Sequence, residues 1–483
     1  MKNNTMIQDL RKLFHNCQDV IFEERSFCEN KYKVTLVYTE GLSDQKLLSE
    51  DILPSLGKLF KSYNDRWKKD TLIENWHKSS ITIEEKNDVM MEKVFSGELL
   101  ICLEFLGVIY SLNIADLPRR KPEETNAEVA IRGPRDGFIE EIETNVALVR
   151  KRLKTNTLLY EKFTVGERAK TKVGLMYIED IARPEIISDI RRRIENLKVD
   201  AITNTNELEE LLEESSLRLF PMFHYTGRTD LTVDALLRGR FILFLDGAPI
   251  AVIGPVNLML LLKTGEDQEY IWLYNSFERF IRLFGLIIGI ALPGFWLALA
   301  GFHQDQLPLV LLSSLTQARQ GVPLPTSLEI IILVLLFDLF REAGLRLPLA
   351  VGQILAVVGG LIIGDAAIRA GLTSPSTIVI IATSTVASFT IANQSLTGVI
   401  SVMRLFVALG ASLAGMFGFL VTGFLVLIYV SNLRSFSLPY LAPVAPINFK
   451  DWFKAVFRPS QKAVKTRPAI LQVTDEDDQV RGK

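Results

Sequence analysis

The sequence predicts an α/β cytoplasmic domain of two subdomains, followed by an α-helical, multi-span membrane domain. Three observations predict it. Residues 1–279 are rich in Lys, Arg, Asp and Glu, whereas 280–433 hold only eleven charged side chains. No lysine occurs between Lys263 and Lys450. The charged part alternates short β-branched and aromatic runs with helical patterns. Even a large soluble core alternates with solvated surface, so an apolar tract of this length points to lipid. The net charge of −2 over 483 residues gives no reason to expect a nucleic-acid partner.

The first subdomain is expected over 1–115. No long apolar stretch opens the chain, so no signal peptide is expected and this part should stay in the cytoplasm. Cys17, Cys28 and Cys102 lack metal-ligand spacing, and a reducing compartment argues against a disulfide framework. The run "YKVTLVYTEG" (32–41) reads as a strand ending at a glycine turn. A helix from Asp44 to just before Pro54 follows it. "ELLICLEFLGVIYSLNI" (98–114) reads as two strands, with Gly107 near a turn or bulge. "DLPRRKPEETN", with two prolines and dense charge, places a linker at 116–127.

The second subdomain is expected over 128–279. "RGPRDG" is turn chemistry, and the helix behind it sets Phe138, Ile142, Val146, Val149 and Leu153 on one face. Glu140, Glu141 and Glu143 early and Arg150, Lys151, Arg152 and Lys154 late match the helix dipole. These charges read either as a solvated face or, at Arg132 and Arg135, as docking groups for another subdomain or subunit. "TKVGLMYIEDIA" (171–182) is a strand, and a helix starts at Pro184. Residues 239–256 have membrane-like hydropathy, but Asp246-Gly247 interrupts a run of β-formers, which predicts a β-hairpin instead of a span. Walker, HExxH and GxSxG patterns are absent, and His15, His77, His224 and His303 stand singly. No catalytic site, metal or cofactor is expected.

The membrane domain, 280–433, holds five apolar stretches: 280–302, kinked or broken near Pro293-Gly294; 327–340, extended to Leu345; the Gly-rich 347–364; 374–392; and 405–430. Basic residues place the start of the first, the end of the second and the tail inside, so an even number of crossings is required. Residues 347–364 are the candidate for a segment that enters and turns back, which survives at membrane depth only under cover of protein or water. A sixth crossing within 307–325 also balances the count. The stretch from Ser374 is dense in hydroxyls. Ser384, Ser388 and Ser395, with Thr377 earlier, share roughly one face, and water on that face is the economical account. Asp338, Asp365, Arg369 and Arg404 fit it, since ionisable groups near membrane depth face a bundle interior or cavity. Gly410, Ala414 and Gly418, with Ala411 and Gly415, form a small-residue face suited to helix packing. The tail, 434–483, carries an amphipathic helix at 448–458, suited to the membrane surface or to packing on the soluble domain, and beyond Pro459 no fixed structure is expected.

"IRGPRDGFIEEIETNVALVRKRLKT", "VGERAKTKVGLMYIEDIA" and "RFILFLDGAPIAVIGPV" resemble the A subunit of the spore nutrient-germinant receptors, the GerA family. Arg132, Gly133, Pro134, Arg135, Asn145, Arg150 and Arg152 occupy the family's signature positions. The resemblance implies an inner-membrane spore protein that acts with a transporter-like B subunit and a C lipoprotein. It also implies an oligomeric ring that releases cations. The SpoVAF paralogues, which work with the dipicolinate-release machinery, are similar in the same blocks. A membrane-anchored scaffold without a pore is the alternative from another class. In a ring, the element nearest the axis needs small residues, which Gly359, Gly360 and Gly364 supply. Ile362 and Ile363 among them are gate candidates, closing by dewetting.

Overall fold

The computed structural model describes residues 3–28, 31–62, 81–84, 86–116, 136–213, 218–346, 364–457 and 466–475, with a few isolated positions between them. Most of the expected linker and nearly all of the 347–364 stretch lie outside these residues. The chain divides into two compact units, one of Met1–Ser216, Met222–Pro255 and Val464–Lys483, the other of Leu217–Pro221 and Val256–Ala463.

The first unit contains two five-stranded sheets. One uses β1 (Val20–Phe27), β2 (Tyr32–Thr39), β3 (Thr82–Glu84), β4 (Glu98–Leu103) and β5 (Val108–Asn113) in the order β1-β2-β4-β5-β3. The other uses β6 (Leu158–Val165), β7 (Thr171–Ile178), β8 (His224–Thr226), β9 (Phe241–Leu245) and β10 (Ala251–Gly254) in the order β6-β7-β9-β10-β8. Every neighbouring pair is antiparallel, and the two orders are the same when each sheet is numbered from its own first strand. Residues 239–256 form the expected hairpin, with Ala251 opposite Phe244 and Gly254 opposite Phe241.

In the first sheet, Leu36, Leu99, Ile101 and Tyr110 pack with Leu56 and Phe60 of the Leu53–Ser62 helix into one core. The helix expected to stop before Pro54 runs through it. A π-helical turn, Leu48–Ile52, leads in, and Pro54 falls in the first turn of the next helix, where its missing N–H is tolerated. The two sheets are joined where Cys17 bridges Tyr160 and the Gln18 N–H donates to the Tyr160 carbonyl at 3.0 Å.

The tail corrects another expectation. Residues 466–475, beyond Pro459, are folded onto the second subdomain of the first unit. The Thr474 N–H donates to the Ile181 carbonyl at 3.1 Å, and Arg467 Nε donates to the Leu237 carbonyl at 2.8 Å. Val473 lies so close to Gly239 that a Cβ there would meet its Cγ1 at 2.4 Å. The polar composition hid Leu471 and Val473, the two apolar side chains that the strap buries.

The second unit is helical. Two of its helices, Trp272–Phe302 and Gln394–Asn432, are long and apolar enough to cross a membrane, with mean hydropathy 2.2 and 2.3. Of the expected kink or break near Pro293-Gly294 the break does not occur, since the first helix is continuous through Pro293. Leu309–Ala318 has ten residues, about 15 Å of rise, too short for the alternative crossing within 307–325.

Gln394–Asn432 is not one rod. Ala414 (φ −135°, ψ 18°) and Gly415 (φ 61°, ψ −133°) leave the helical region, and a residue with a Cβ rarely adopts the second of these. The chain reverses there: a Cβ on Gly410 would lie 2.2 Å from Thr422 Cγ2, and one on Gly418 would lie 1.9 Å from the Gly410 carbonyl oxygen. The 405–430 stretch, expected as a single span, is therefore the body of a helical hairpin. Its small residues pack the two arms on each other.

Glycines also set the rest of the bundle. A Cβ on Gly285 would meet Thr390 Oγ1 at 2.2 Å, on Gly294 Val407 Cγ1 at 2.8 Å, and on Gly415 Phe302 Cβ at 2.9 Å. The first hairpin arm therefore runs parallel to Trp272–Phe302, with the hairpin tip at the Phe302 end. Thr326–Arg346 and Pro375–Phe389 both start at that same end. At the opposite end, 256–262 and 435–442 close a collar. Val256 N–H donates to Ser435 Oγ (3.2 Å), Asn257 Nδ2 to the Ala442 carbonyl (3.0 Å) and Leu258 N–H to the Tyr440 carbonyl (2.9 Å).

Candidate functional site

The bundle interior brings together charges from two helical segments and hydroxyls from a third. Asp338 and Arg341 come from Thr326–Arg346, Ser401 and Arg404 from the first hairpin arm, and Ser384 and Thr385 from Pro375–Phe389. Arg404 is fully buried. Its Nη2 donates to Asp338 Oδ1 at 2.6 Å, and Ser401 Oγ donates to the same oxygen at 2.9 Å. Arg341 Nη1 donates to Ser401 Oγ at 2.8 Å and lies 3.8 Å from Asp338 Oδ1. Two guanidiniums thus share one carboxylate. The cluster carries a net positive charge inside an apolar bundle, where charges persist only when paired and hydrogen-bonded. Arg404 Nε is buried and unbonded among the described residues.

A second carboxylate, this one buried, stands at the other end of the bundle. Glu329 Oε1 accepts from Thr373 Oγ1 (2.7 Å), the Ser374 N–H (2.7 Å) and Ser374 Oγ (3.1 Å). It thereby caps Pro375–Phe389 from a neighbouring helix, and its negative charge suits a helix N-terminus. Nothing in the sequence singles out this residue beyond a lone acid opening an apolar run.

Three members of the hydroxyl face are turned into protein, and of the four only Ser395 is exposed. Ser384 and Ser388 are fully buried and Thr377 nearly so. Ser384 Oγ donates to the Gly289 carbonyl at 3.0 Å, Ser388 Oγ to the Thr385 carbonyl at 2.6 Å, and Thr377 Oγ1 is 2.8 Å from Ser374 Oγ. Gly289 has no side chain to hold the helices apart, so the hydroxyls meet backbone instead of water. The expected interior place of Asp365 and Arg369 is also corrected. They form an i,i+4 pair (2.8 Å) with side chains more than half exposed. Gly364 is described and borders open space, whereas Gly359, Gly360, Ile362 and Ile363 lie outside the described residues.

In the first unit Arg132, Gly133, Pro134 and Arg135 also lie outside the described residues. Asn145 is fully buried and staples the turn before its helix. Its Nδ2 donates to the Ile139 carbonyl (2.6 Å) and its Oδ1 accepts the Ile139 N–H (2.8 Å). Arg152 Nη2 reaches both Asp136 oxygens, at 2.7 and 2.9 Å. Arg150 has no exposed surface. Its Nε and Nη2 close a fork on Asp19 at 2.6 and 2.9 Å, Nη1 donates to the Thr155 carbonyl at 3.0 Å, and the guanidinium stacks 4.2 Å over the Phe95 ring. Asp19 belongs to the segment before β1, so this pair ties the two subdomains. Burial works to lower the Arg150 pKa, but the Asp19 carboxylate outweighs it and the value rises. Burial pushes the neighbouring Cys17 thiol up to about 11, against the pull of Arg150.

Among the described residues no three His, Cys, Asp or Glu side chains are grouped to hold a metal ion. A family model described as Bacillus/Clostridium GerA spore germination protein matches residues 8–470. Spore germination protein XA of Bacillus anthracis is 43% identical, over 97% of this chain and 96% of its own length. Spore germination protein GerLA of Bacillus cereus is 29% identical over 97% and 96%, and spore germination protein B1 of Bacillus subtilis (strain 168) is 29% identical over 100% and 98%. Among solved structures, the N-terminal domain of the A subunit of the Bacillus megaterium spore germinant receptor GerK3 matches 52% of this chain and 92% of its own, with 26% identity and a TM-score of 0.40.

Proposed function

The chain belongs to the GerA family of Bacillus/Clostridium spore germination proteins, and from that premise we propose that it is a membrane subunit of a nutrient germinant receptor. Its helical unit assembles with copies of itself into a germinant-gated cation path, with a transporter-like B subunit and a C lipoprotein as partners. The observation that carries this reading is the Asp338–Arg341–Arg404 network, with Arg404 buried and the other two half-buried, because ionisable groups within membrane helices mark ion paths and moving parts. The hairpin supports the topology. Splitting the fifth apolar stretch at Gly415 adds one crossing to the five expected, an even count that supports both termini on one side, and the basic tail argues for the cytoplasmic side.

Ile362 and Ile363, among Gly359, Gly360 and Gly364, are the proposed gate, while Arg132 and Arg135 of the signature serve assembly and Asn145, Arg150 and Arg152 hold the chain's own fold. The scaffold reading is favoured by the burial of Ser384 and Ser388, since hydroxyls spent on protein carbonyls line no water path by themselves. Flux decides between them. The purified chain, reconstituted in liposomes with its partners, is expected to pass monovalent cations when germinant is added, and Ile362→Ser or Ile363→Ser to leak without it. Tight liposomes under every condition favour the scaffold.

A further inference from the structure

The Trp272–Phe302 helix is longer than a bilayer requires. Its 31 residues rise about 46 Å, against a hydrocarbon core of about 30 Å, which leaves about eleven residues over. The surplus lies at the start of the helix. Phe302 is level with the hairpin tip at Gly415, and Gly285 is level with Thr390, just before the first hairpin arm begins. Residues 272–282 therefore stand beyond the packed bundle.

That surplus has two sides. One is polar and locked: Arg282 Nη1 donates to Asp267 Oδ1 at 2.7 Å and to the Leu262 carbonyl at 3.2 Å, and Arg279 Nε reaches Asp267 Oδ2 at 3.1 Å. The other is aromatic and open, with Trp272, Leu273, Tyr274, Phe277 and Phe280 all exposed. Arg279 Nη1 also donates to the Ala455 carbonyl (3.4 Å), which fastens the short Phe449–Val456 helix beside it. That helix buries Asp451 and Val456, and it exposes Phe449 (78%), Trp452 and Phe453 (57%) with Lys450.

We propose that residues 272–282 and the Phe449–Val456 helix form one aromatic collar that beds in the phospholipid headgroup layer and fixes the depth of the first helix. The inference rests on the membrane reading above. Tryptophan and tyrosine, here Trp272, Tyr274 and Trp452, favour the headgroup boundary, and an amphipathic helix with lysine on its polar side lies along it. Geometry selects lipid over a second copy of the chain. Trp272, Leu273 and Tyr274 are consecutive and point about 100° apart, so no single rigid face covers all three, whereas a fluid layer does.

The test places an environment-sensitive fluorophore on single cysteines, Phe277→Cys, Phe453→Cys and, as reference, Phe424→Cys in the middle of the second hairpin arm. The full chain is reconstituted in phosphatidylcholine–phosphatidylglycerol vesicles. Cys28→Ser removes the half-buried native thiol, while Cys17 and Cys102 are buried. At positions 277 and 453, spin labels high on the acyl chain are expected to quench more strongly than deep ones, with the reverse order at 424. A fluorophore at 277 or 453 that reads water, or one that is shielded yet unquenched by lipid, overturns the collar while quenching at 424 leaves the membrane reading standing. Absence of lipid quenching at all three positions overturns both.

Discussion

Arg150 spends each face of its guanidinium inside the protein: a fork on Asp19, a carbonyl at Nη1 and a ring below. Removing one member of a buried pair strands the other charge. Arg150→Ala is therefore expected to destabilise the folded chain by about 3–5 kcal/mol, read as a lower thermal midpoint in detergent and less protein in the membrane. Asp19→Leu combined with Arg150→Leu should recover much of that loss, because no bare charge remains. The basic run Arg150-Lys151-Arg152 looks uniform in sequence, yet Arg150 is buried while Lys151 is exposed. Its partner lies 131 residues earlier, a distance that local pattern does not reach. A second group gives a pH prediction. Burial, with Glu213 adding to it, raises the Glu209 carboxyl to about 8 despite the hydrogen bond from Tyr225, which Asn206 also accepts. Between its ordinary range and about 8 the folded chain keeps a proton that the unfolded chain has released, so stability falls as pH rises. Glu209→Gln should flatten this dependence, gaining about 2–4 °C in thermal midpoint over the parent near pH 8 and little near pH 5.

At the scale of elements, what was legible follows burial. The six strands visible as apolar runs, β2, β4, β5, β7, β9 and β10, are the inner strands of their sheets. The four that the sequence hides, β1, β3, β6 and β8, are the edges. An edge strand needs fewer apolar side chains and gains from charges that block further pairing, which is why "VIFEERSF" carries Glu23, Glu24 and Arg25 in the middle of a strand. The hairpin was hidden for the opposite reason. Both arms are apolar, and the break needs only Gly415, one glycine among several. It makes a sharp prediction. Leu413→Cys at the hairpin tip should be labelled by an impermeant thiol reagent added outside intact cells. A single unbroken span places residue 413 in mid-membrane and leaves it unlabelled.

At the scale of the molecule, the charged α/β unit and the membrane-length helices were legible because charge and hydropathy differ so strongly between them. The folded tail was not, since ten residues of mixed polarity dock through backbone groups. Both chain ends are expected on the cytoplasmic face. Cysteines at Lys121 and Lys465, in a background lacking exposed native thiols, should escape an impermeant reagent applied from outside, and labelling of either overturns that orientation.

The strap at 466–475 also bears on how the molecule is made. The ribosome delivers the two sheets first, the helices next and the strap after them, so the first unit waits for Val473 until the helical unit has been synthesised. Until then Ile181 and Gly239 lack their covering residue, Val473. A chain cut short anywhere after the helices carries that bare site, a mark by which cellular proteolysis could distinguish finished molecules from unfinished ones.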